Sequence, residues 1–341
     1  MKSNSKAPIF IGGPDRCGKT TLQAFLSSHP NIAIPVVGSN MWSYFYGQFG
    51  DLGRRDNFER CLAALLHYKH VIYLKPDAER IRREFWQGET TYARLFALFQ
   101  EQYAERMGKP RWGDQTGLVE RYADPIFAAY PGARMVHMIR DPRDRYEASL
   151  EMWPNGKARV GGATARWLYS ARLAHRNLER YPDRYKVVRY ETLVSQPEKT
   201  LREICAFLGE AYTPQMLSME ASPGHRDKLR QGGQDQPGAA LLSTRYIGRY
   251  REKISRQDIA FMQTYAGRMM AAYGYELDQI EFTPGELKRY NLVDRPLNLA
   301  RMLAWLAIES LHHKFPALAG RKPSKSMVLK PQGRAETTTE G

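Results

Sequence analysis

A glycine-rich turn with a lysine and neighbouring threonines stands near the start of the chain. Residues 13–20, GPDRCGKT, match the pattern G-x-x-x-x-G-K-[ST] of a phosphate-binding loop. Gly13 and Gly18 let a backbone curl closely around a phosphate, Lys19 supplies a positive charge, and Thr20 supplies a hydroxyl. The residue types and their spacing therefore predict an anion-binding loop.

The flanking segments are those that such a loop requires. Residues 9–11, IFI, form a short apolar run, and Leu22, Phe25 and Leu26 share one face of a predicted helix that starts near Thr20. The first N–H groups of a helix have no partner within it, and the helix dipole adds a positive field at the same place. Without this strand and helix, the same pattern would indicate no more than a glycine-rich turn.

Other polar residues follow further predicted strands. They stand at the ends of three apolar runs: Asp114, Arg140 and Tyr190. The alternation of strands and helices predicts an α/β fold, a P-loop-type parallel sheet flanked by helices. Because ligands bind beyond the carboxyl ends of parallel strands, we expect these residues and Gly13 to face one crevice.

The chain divides by composition into a main domain and a C-terminal part. We predict one domain over residues 1–290, with an inserted helical substrate cap at about 50–110. Residues 221–241 have the composition of a mobile loop. Residues 291–320 predict an amphipathic helix, and the polar residues 321–341 predict a disordered tail.

The 341 residues carry a net charge of +15, which favours an anionic ligand, an anionic polymer or a membrane surface. No sequence motif of a nucleic-acid-binding module is present, so we do not predict binding to nucleic acid. Three cysteines without paired spacing indicate a reducing compartment. The first strand begins within nine residues of the start, and no run of about 18 apolar residues occurs. The prediction is a cytoplasmic protein whose residues 295–315 either pack on the domain or lie on a membrane surface.

The residues do not favour a metal site. A kinase or NTPase needs a carboxylate after a second strand to hold Mg²⁺, and the candidate is Asp141. Arg140 precedes it, however, and a cation at this point suits a second phosphate better than a metal ion. His67 and His70 share a helical face but lack a third ligand, so we predict no metal there.

Four segments resemble the sulfotransferases that use 3′-phosphoadenosine 5′-phosphosulfate (PAPS) as donor. They follow the family's order over about residues 7–275: RCGKT with SHP downstream, YPGAR to RDPRD, RYETL with FLG downstream, and IGRYR. The resemblance implies transfer of a sulfuryl group to a hydroxyl or amine of a small-molecule, glycan or lipid acceptor. No motif specifies the acceptor or the oligomeric state.

The resemblance and the loop together imply a set of nucleotide-binding residues. They are Gly13, Arg16, Cys17, Gly18, Lys19, Thr20, Thr21, Arg140, Ser149, Arg245 and Gly248. We expect Arg16 and Lys19 to stabilise the transition state as cations. Asp114 is our candidate for the general base, with a helix-capping role beside Thr116 as its alternative.

Several residues depart from the family pattern. Cys17 replaces a serine, and Lys19 replaces a threonine and thereby completes the ATP-type loop. The serine expected eight residues after Arg140 is Ala148, with Ser149 one position later. The family's glutamate after SHP is absent. The alternatives are therefore an ATP-dependent small-molecule kinase with Asp141 or Asp114 on Mg²⁺, and a nucleotide-binding protein without catalysis. For Cys17 we expect a lowered pKa and a reactive thiol, because it lies in an anion-binding loop.

Overall fold

A five-stranded parallel sheet forms the centre of the protein. The computed structural model describes residues 7–152, 159–222, 226, 243–315, 323 and 325–328. The strands are β1 Ile9–Gly12, β2 Ile32–Ala33, β3 Arg111–Gln115, β4 Arg134–Ile139 and β5 Tyr185–Arg189. Their order in the sheet is β2-β3-β1-β4-β5, and each neighbouring pair is parallel. The carboxyl ends of all five strands therefore meet at one edge.

Helices connect and cover the strands. Those of the first half are α1 Lys19–Ser27, α2 Met41–Tyr44, α3 Arg55–Leu66, α4 Lys69–Ile72, α5 Ala78–Phe85, α6 Tyr92–Arg106 and α7 Ala123–Ala129. Those of the second half are α8 Pro142–Met152, α9 Val160–Arg180, α10 Tyr190–Ser195, α11 Pro197–Leu208, α12 Tyr250–Lys253, α13 Arg256–Ala272, α14 Pro284–Arg289 and α15 Arg295–Lys314. A π-helical turn, Tyr290–Asp294, joins the last two. The predicted α/β class with a parallel sheet is confirmed.

Each face of the sheet has its own apolar core, because alternate side chains of a strand point to opposite faces. Phe10 of β1 belongs to a core with Trp112 and the helices of residues 55–106. Ile9 and Ile11 belong to the opposite core, with apolar residues of α1 and α11. The sheet is thereby covered on both sides, as its apolar strands require.

The predicted insertion at 50–110 is helical, but it is not a separate cap throughout. Its last helix, α6, packs on β3, and Phe96 and Phe99 are buried in the same core as Trp112. A helix with apolar residues around most of its circumference must be covered on several sides. The α6 helix is therefore the crossover layer between β2 and β3, and only α3–α5 remain as candidates for a cap.

The C-terminal helix α15 packs along α9. The predicted mobile loop at 221–241 lies outside the described residues apart from 221, 222 and 226, and so does the predicted tail at 321–341 apart from 323 and 325–328. Val328 forms a β-bridge with Tyr68. Among the described helices, none combines the length and the hydropathy needed to cross a bilayer.

Candidate functional site

The glycine-rich loop, residues 13–18, connects the carboxyl end of β1 to the N-terminus of α1. Gly13, Arg16 and Gly18 have φ angles of 114°, 62° and 94°, in the left-handed region. Gly18 is the N-cap of α1, and no side-chain hydrogen bond caps the helix. The first turn of α1 therefore begins at the loop with backbone N–H groups that no capping side chain accepts from.

A buried carboxylate that sequence reasoning missed sets the start of the loop. Gly13 N donates to Glu120 Oε2 at 2.9 Å, and the Ser170 hydroxyl donates to Glu120 Oε1. A Cβ atom at Gly12 would lie 3.0 Å from the same carboxylate. The Gly13 N–H is therefore occupied within the protein. Gly13 therefore contributes to the loop through its backbone conformation, and not through a hydrogen bond from its N–H to an anion.

An ion-pair cluster, also missed, holds the middle of the loop. Arg145 and Arg166 each donate to Asp15 Oδ1 at 2.8 Å, and Arg145 Nε donates to Asp15 O at 2.9 Å. Burial acts to raise the pKa of Asp15, but these two guanidiniums outweigh it and hold the pKa well below its ordinary value. The loop is thereby fastened to α8 and α9.

The lysine of the loop is half-buried and contacts loop carbonyls, whereas the cysteine is buried. Lys19 Nζ donates to Gly13 O at 2.9 Å and to Pro14 O. Cys17 is fully buried, and burial raises the pKa of its thiol. The expected lowered pKa is therefore wrong, because desolvation of a thiolate outweighs the attraction of Lys19.

Arg140 joins the loop to two other segments. Its Nη1 donates to Arg16 O at 3.2 Å and its Nη2 to Tyr246 O at 2.8 Å. Its guanidinium lies over the Tyr190 ring, and its buried Nε has no hydrogen-bond partner among the described residues. Asp144 and Glu191, the carboxylates that could have paired with it, accept hydrogen bonds from backbone N–H groups instead.

The segment around Gly248 is tied to the same strand end. Gly248 N donates to Asp144 Oδ2 at 2.7 Å, and Tyr250 N donates to Asp144 Oδ1 at 3.0 Å. Burial raises the pKa of Asp144, against these two hydrogen bonds. The segment therefore lies beside Arg140 as expected, although the Gly248 N–H already has a partner.

Two other predicted phosphate ligands make local contacts. Ser149 is buried, and its hydroxyl donates to Tyr146 O of its own helix at 2.7 Å. Arg245 is exposed, and its Nη2 donates to the Tyr246 hydroxyl at 2.7 Å. One residue along a helix turns a side chain by about 100°, which separates Ser149 from the position of Ala148.

Asp114, the candidate base, is buried and accepts several hydrogen bonds. Its Oδ1 accepts from Ser39 N at 3.0 Å, and its Oδ2 accepts from Ser39 Oγ at 2.5 Å and from Thr116 Oγ1 at 3.2 Å. Burial raises the pKa of Asp114, and the hydrogen bonds from Ser39 and Thr116 oppose that effect. Asp114 thereby fastens residues 38–40 to the end of β3.

His70 of α4 reaches these residues from the other side. Its Nδ1 lies 2.9 Å from Gly38 O. The same Nδ1 lies 3.0 Å from Asn40 Nδ2. When Nδ1 carries the proton it donates to Gly38 O, and Nε2 keeps a lone pair. A Cβ atom at Gly38 would lie 1.8 Å from Gln115 O, so this histidine is held at the end of β3. His67, by contrast, is exposed and contacts Ala63 O of its own helix.

The carboxylate proposed for Mg²⁺ is engaged in an ion pair. Asp141 Oδ1 accepts from Arg143 Nε at 3.0 Å, and its Oδ2 accepts from Arg143 Nη2 at 2.7 Å. Within the described part of the chain, no group of three or more histidine, cysteine, aspartate or glutamate residues is arranged to hold a metal ion.

Comparison with known proteins identifies the family of the chain. The model of a sulfotransferase family matches residues 8–214. A protein-tyrosine sulfotransferase of Drosophila melanogaster is 23% identical over 224 residues, which are 62% of this chain and 40% of that protein. The chain thus spans about two fifths of the length of this relative. The matched range includes the loop, Arg140 and Tyr190, and ends before the segment around Gly248.

A solved sulfotransferase domain shares the fold of this chain. The sulfotransferase domain of the Synechococcus PCC 7002 olefin synthase has a TM-score of 0.53 at 21% identity and covers 82% of this chain and 98% of that domain. A sulfotransferase domain from the curacin biosynthetic pathway has a TM-score of 0.48 at 18% identity, with 80% and 100% covered. Since the family model matches more than half of the residues, the resemblance found in the sequence is confirmed, and the chain belongs to the sulfotransferase family.

Proposed function

We propose that the protein transfers the sulfuryl group of PAPS to a hydroxyl or amine of an acceptor. One relationship carries this proposal: the uncapped N-terminus of α1 and the Arg140 guanidinium lie at adjacent strand ends, joined by the hydrogen bond to Arg16 O. A donor with a phosphosulfate at one end and a 3′-phosphate at the other needs two separate cationic sites. The buried, unpartnered Nε of Arg140 leaves one donor for such a ligand.

The residues divide between the two ends of the donor. Lys19, Thr20, Thr21 and the N–H groups of the first turn of α1 would hold the 5′-phosphosulfate, with Arg16 at the exposed rim. Cys17 and Gly18 would contribute backbone only. Arg140 would hold the 3′-phosphate, since a hydrogen bond from a charged guanidinium to a phosphate is stronger than one between neutral groups. Arg245 and Gly248 would border it, whereas the contacts of Ser149 do not favour a role there.

The reaction is an in-line displacement at sulfur. A lone pair of the acceptor forms the new bond to sulfur while the bond to the bridging phosphate oxygen breaks, and the acceptor proton passes to a base. Negative charge builds on that bridging oxygen. Lys19 and Arg16 would stabilise it, and a site preorganised in this way lowers the barrier.

We propose His70 as that base and Asp114 as its positioning residue. The Asp114 carboxylate accepts three hydrogen bonds and is buried, so it fastens Ser39 and the neighbouring Gly38 carbonyl. With Nδ1 protonated and donating to that carbonyl, His70 Nε2 can accept a proton. The lost family glutamate would have followed the same SHP segment, so His70 would replace it from the cap.

The proposed acceptor is a small molecule, a glycan or a lipid that carries a hydroxyl or amine. The Drosophila melanogaster relative is named for protein tyrosine, so a tyrosine-containing peptide belongs among the acceptors to be assayed. The cysteines at 17, 61 and 205 are free thiols, which supports a reducing, cytoplasmic setting.

The competing kinase function is disfavoured by the Asp141–Arg143 ion pair. A carboxylate already bound through both oxygens by a buried guanidinium would have to break that pair to bind Mg²⁺. Asp114 would likewise have to give up hydrogen bonds from Ser39 and Thr116 to bind Mg²⁺.

Calorimetry with adenosine 3′,5′-bisphosphate and with ATP, each with and without Mg²⁺, tests the proposed function. We expect the bisphosphate to bind more tightly than ATP, with no effect of Mg²⁺. Tight, Mg²⁺-dependent ATP binding would establish the kinase alternative. Tight bisphosphate binding without sulfuryl transfer to any acceptor class would favour a nucleotide-binding protein without catalysis.

A further inference from the structure

We propose that α15 is a docking helix for an anionic lipid surface. The helix spans 20 residues, which is about 30 Å of length. It presents one face to the protein and a second, apolar face to solvent. The proposal is independent of the transferase reaction.

The inner face of α15 fixes the orientation of the helix. Asn298, Met302 and Glu309 are buried where α15 packs along α9. Glu309 forms a buried ion pair with Arg121. Because a buried ion pair is costly to break, the helix cannot rotate to bury its other face against the domain.

The outer face is a continuous apolar stripe. Its members recur at helical spacing and are exposed: Leu297, Ala300, Leu303, Ala304, Ala307, Ile308, Leu311 and Phe315. Leu303, Ile308 and Phe315 are 55%, 53% and 51% exposed. Between residues 296 and 311, every exposed residue is uncharged. Single exposed apolar residues are ordinary, but a stripe along a whole helix marks an interaction surface.

The charged residues around the stripe indicate an anionic partner. Arg295 and Lys314 are exposed at its two ends, and Lys288 is exposed on the preceding α14. Nearby acids are engaged: Glu309 with Arg121, and Asp294 with Arg289. Two copies meeting through this stripe would bring like charges together, at a net charge of +15 each. Anionic headgroups would instead attract the basic ends while the stripe enters the acyl boundary.

Vesicle flotation with the full-length protein tests this surface. We expect the protein to float with vesicles of phosphatidylcholine and phosphatidylserine, and to stay in solution with phosphatidylcholine alone. Leu303→Asp/Ile308→Asp should lower binding to the anionic vesicles by about tenfold or more, since two apolar side chains no longer enter the lipid. Lys288→Gln/Lys314→Gln should weaken binding and its salt dependence.

A matched control separates the stripe from general charge. Leu178→Asp/Leu277→Asp also replaces two exposed leucines by acids, outside α15, and should bind vesicles as the wild type does. Circular dichroism and bisphosphate affinity report whether each variant is folded. Equal loss of vesicle binding in both double variants overturns the proposal, as does failure of the wild type to float.

A dimer in sedimentation equilibrium that only Leu303→Asp/Ile308→Asp dissociates would identify a second copy as the partner. Binding that appears only after removal of residues 316–341 would show that the chain covers its own stripe. Either result also overturns the proposal.

Discussion

The guanidinium carbon of Arg140 lies 4.7 Å from the centroid of the Tyr190 ring. Arg140 follows β4 and Tyr190 follows β5, so this cation–π contact links two adjacent strand ends. The same ring packs on Gly18, the N-cap of α1. One aromatic side chain therefore supports both the loop that would bind the phosphosulfate and the arginine that would bind the 3′-phosphate.

The variant Arg140→Ala tests whether Arg140 binds the 3′-phosphate, by comparing a nucleotide that carries this group with one that lacks it. We expect it to weaken adenosine 3′,5′-bisphosphate by about 2 to 5 kcal/mol, as for a broken desolvated charge pair. Adenosine 5′-phosphosulfate lacks the 3′ group and should lose much less. Arg140→Lys is the matched control, because it keeps the charge but not the planar fork. Calorimetry measures all three proteins, and equal losses for the two ligands would refute a role at the 3′-phosphate.

Gly18→Ala tests the packing of Tyr190 on the loop. A Cβ atom there would lie 2.4 Å from Tyr190 Cδ2, at a φ of 94°. Gly209→Ala is the control, since Gly209 has a φ of 72° but nothing within 4 Å of its Cβ position. Both should lose about 1 kcal/mol to backbone strain, and Gly18→Ala about 1 to 3 kcal/mol more through overpacking. Urea unfolding measures these losses, and Tyr190→Ala should recover part of the second. If the two glycine variants lose equal stability, the ring does not constrain the loop.

Cys17 should react slowly with alkylating reagents at neutral pH. Its pKa is raised by burial, so the thiolate that would react is scarce. The expected course with iodoacetamide is a slow, incomplete modification of the folded protein and rapid modification in denaturant, followed by mass spectrometry of residue 17. Fast labelling in the folded state, blocked by adenosine 3′,5′-bisphosphate, would contradict the buried position.

Lys19→Ala and Arg16→Ala should both lower kcat, because each removes a cation that we propose to stabilise the leaving oxygen. The loss for one such group is about 10²- to 10³-fold. Their effects on the fold should differ. Lys19 binds the Gly13 carbonyl, so its removal should also lower the melting temperature, whereas the Arg16 side chain is exposed. Single-turnover kinetics and thermal unfolding measure the two effects, and near wild-type rates in both variants would show that neither cation acts at the transition state.

The sequence was sufficient for the parts of the site that are local in the chain. The loop, its flanking strand and helix, and the strand ends at Arg140 and Tyr190 depend on short motifs and on the periodicity of apolar residues. Glu120 could not be found in this way, because it meets Gly13 across 107 residues. Arg145 likewise reaches Asp15 across 130 residues. Both are buried polar partners of backbone or carboxylate groups, and only the tertiary fold pairs them.

The packing of the inserted helices and the pKa of the Cys17 thiol could not be predicted for the same reason. Periodicity identified helices over about residues 50–110, but it cannot tell a cap helix from α6, which covers the sheet. The helix N-terminus suggested a lowered pKa for Cys17, while the opposing desolvation depends on the apolar core that buries the thiol, with Val136 and Met138 among its members. The electrostatic field of a helix N-terminus can be deduced from the sequence, whereas the burial of a side chain cannot.

The base assignment gives a prediction in which two residues near the end of β3 behave differently. His70→Gln should lower kcat and remove the acidic limb of the pH–rate profile, because a histidine base loses its lone pair on protonation. Asp114→Asn should lower kcat by displacing Ser39 and Gly38, yet keep the acidic limb, because its carboxylate does not receive the proton. Burial raises the pKa of Asp114, so a base at this position would have its acidic limb at higher pH than an exposed carboxylate. His67→Gln is the matched control, since that exposed histidine contacts only its own helix and should leave the profile unchanged. An Asp114→Asn enzyme without the acidic limb, alongside a His70→Gln enzyme that keeps it, would return the base to Asp114.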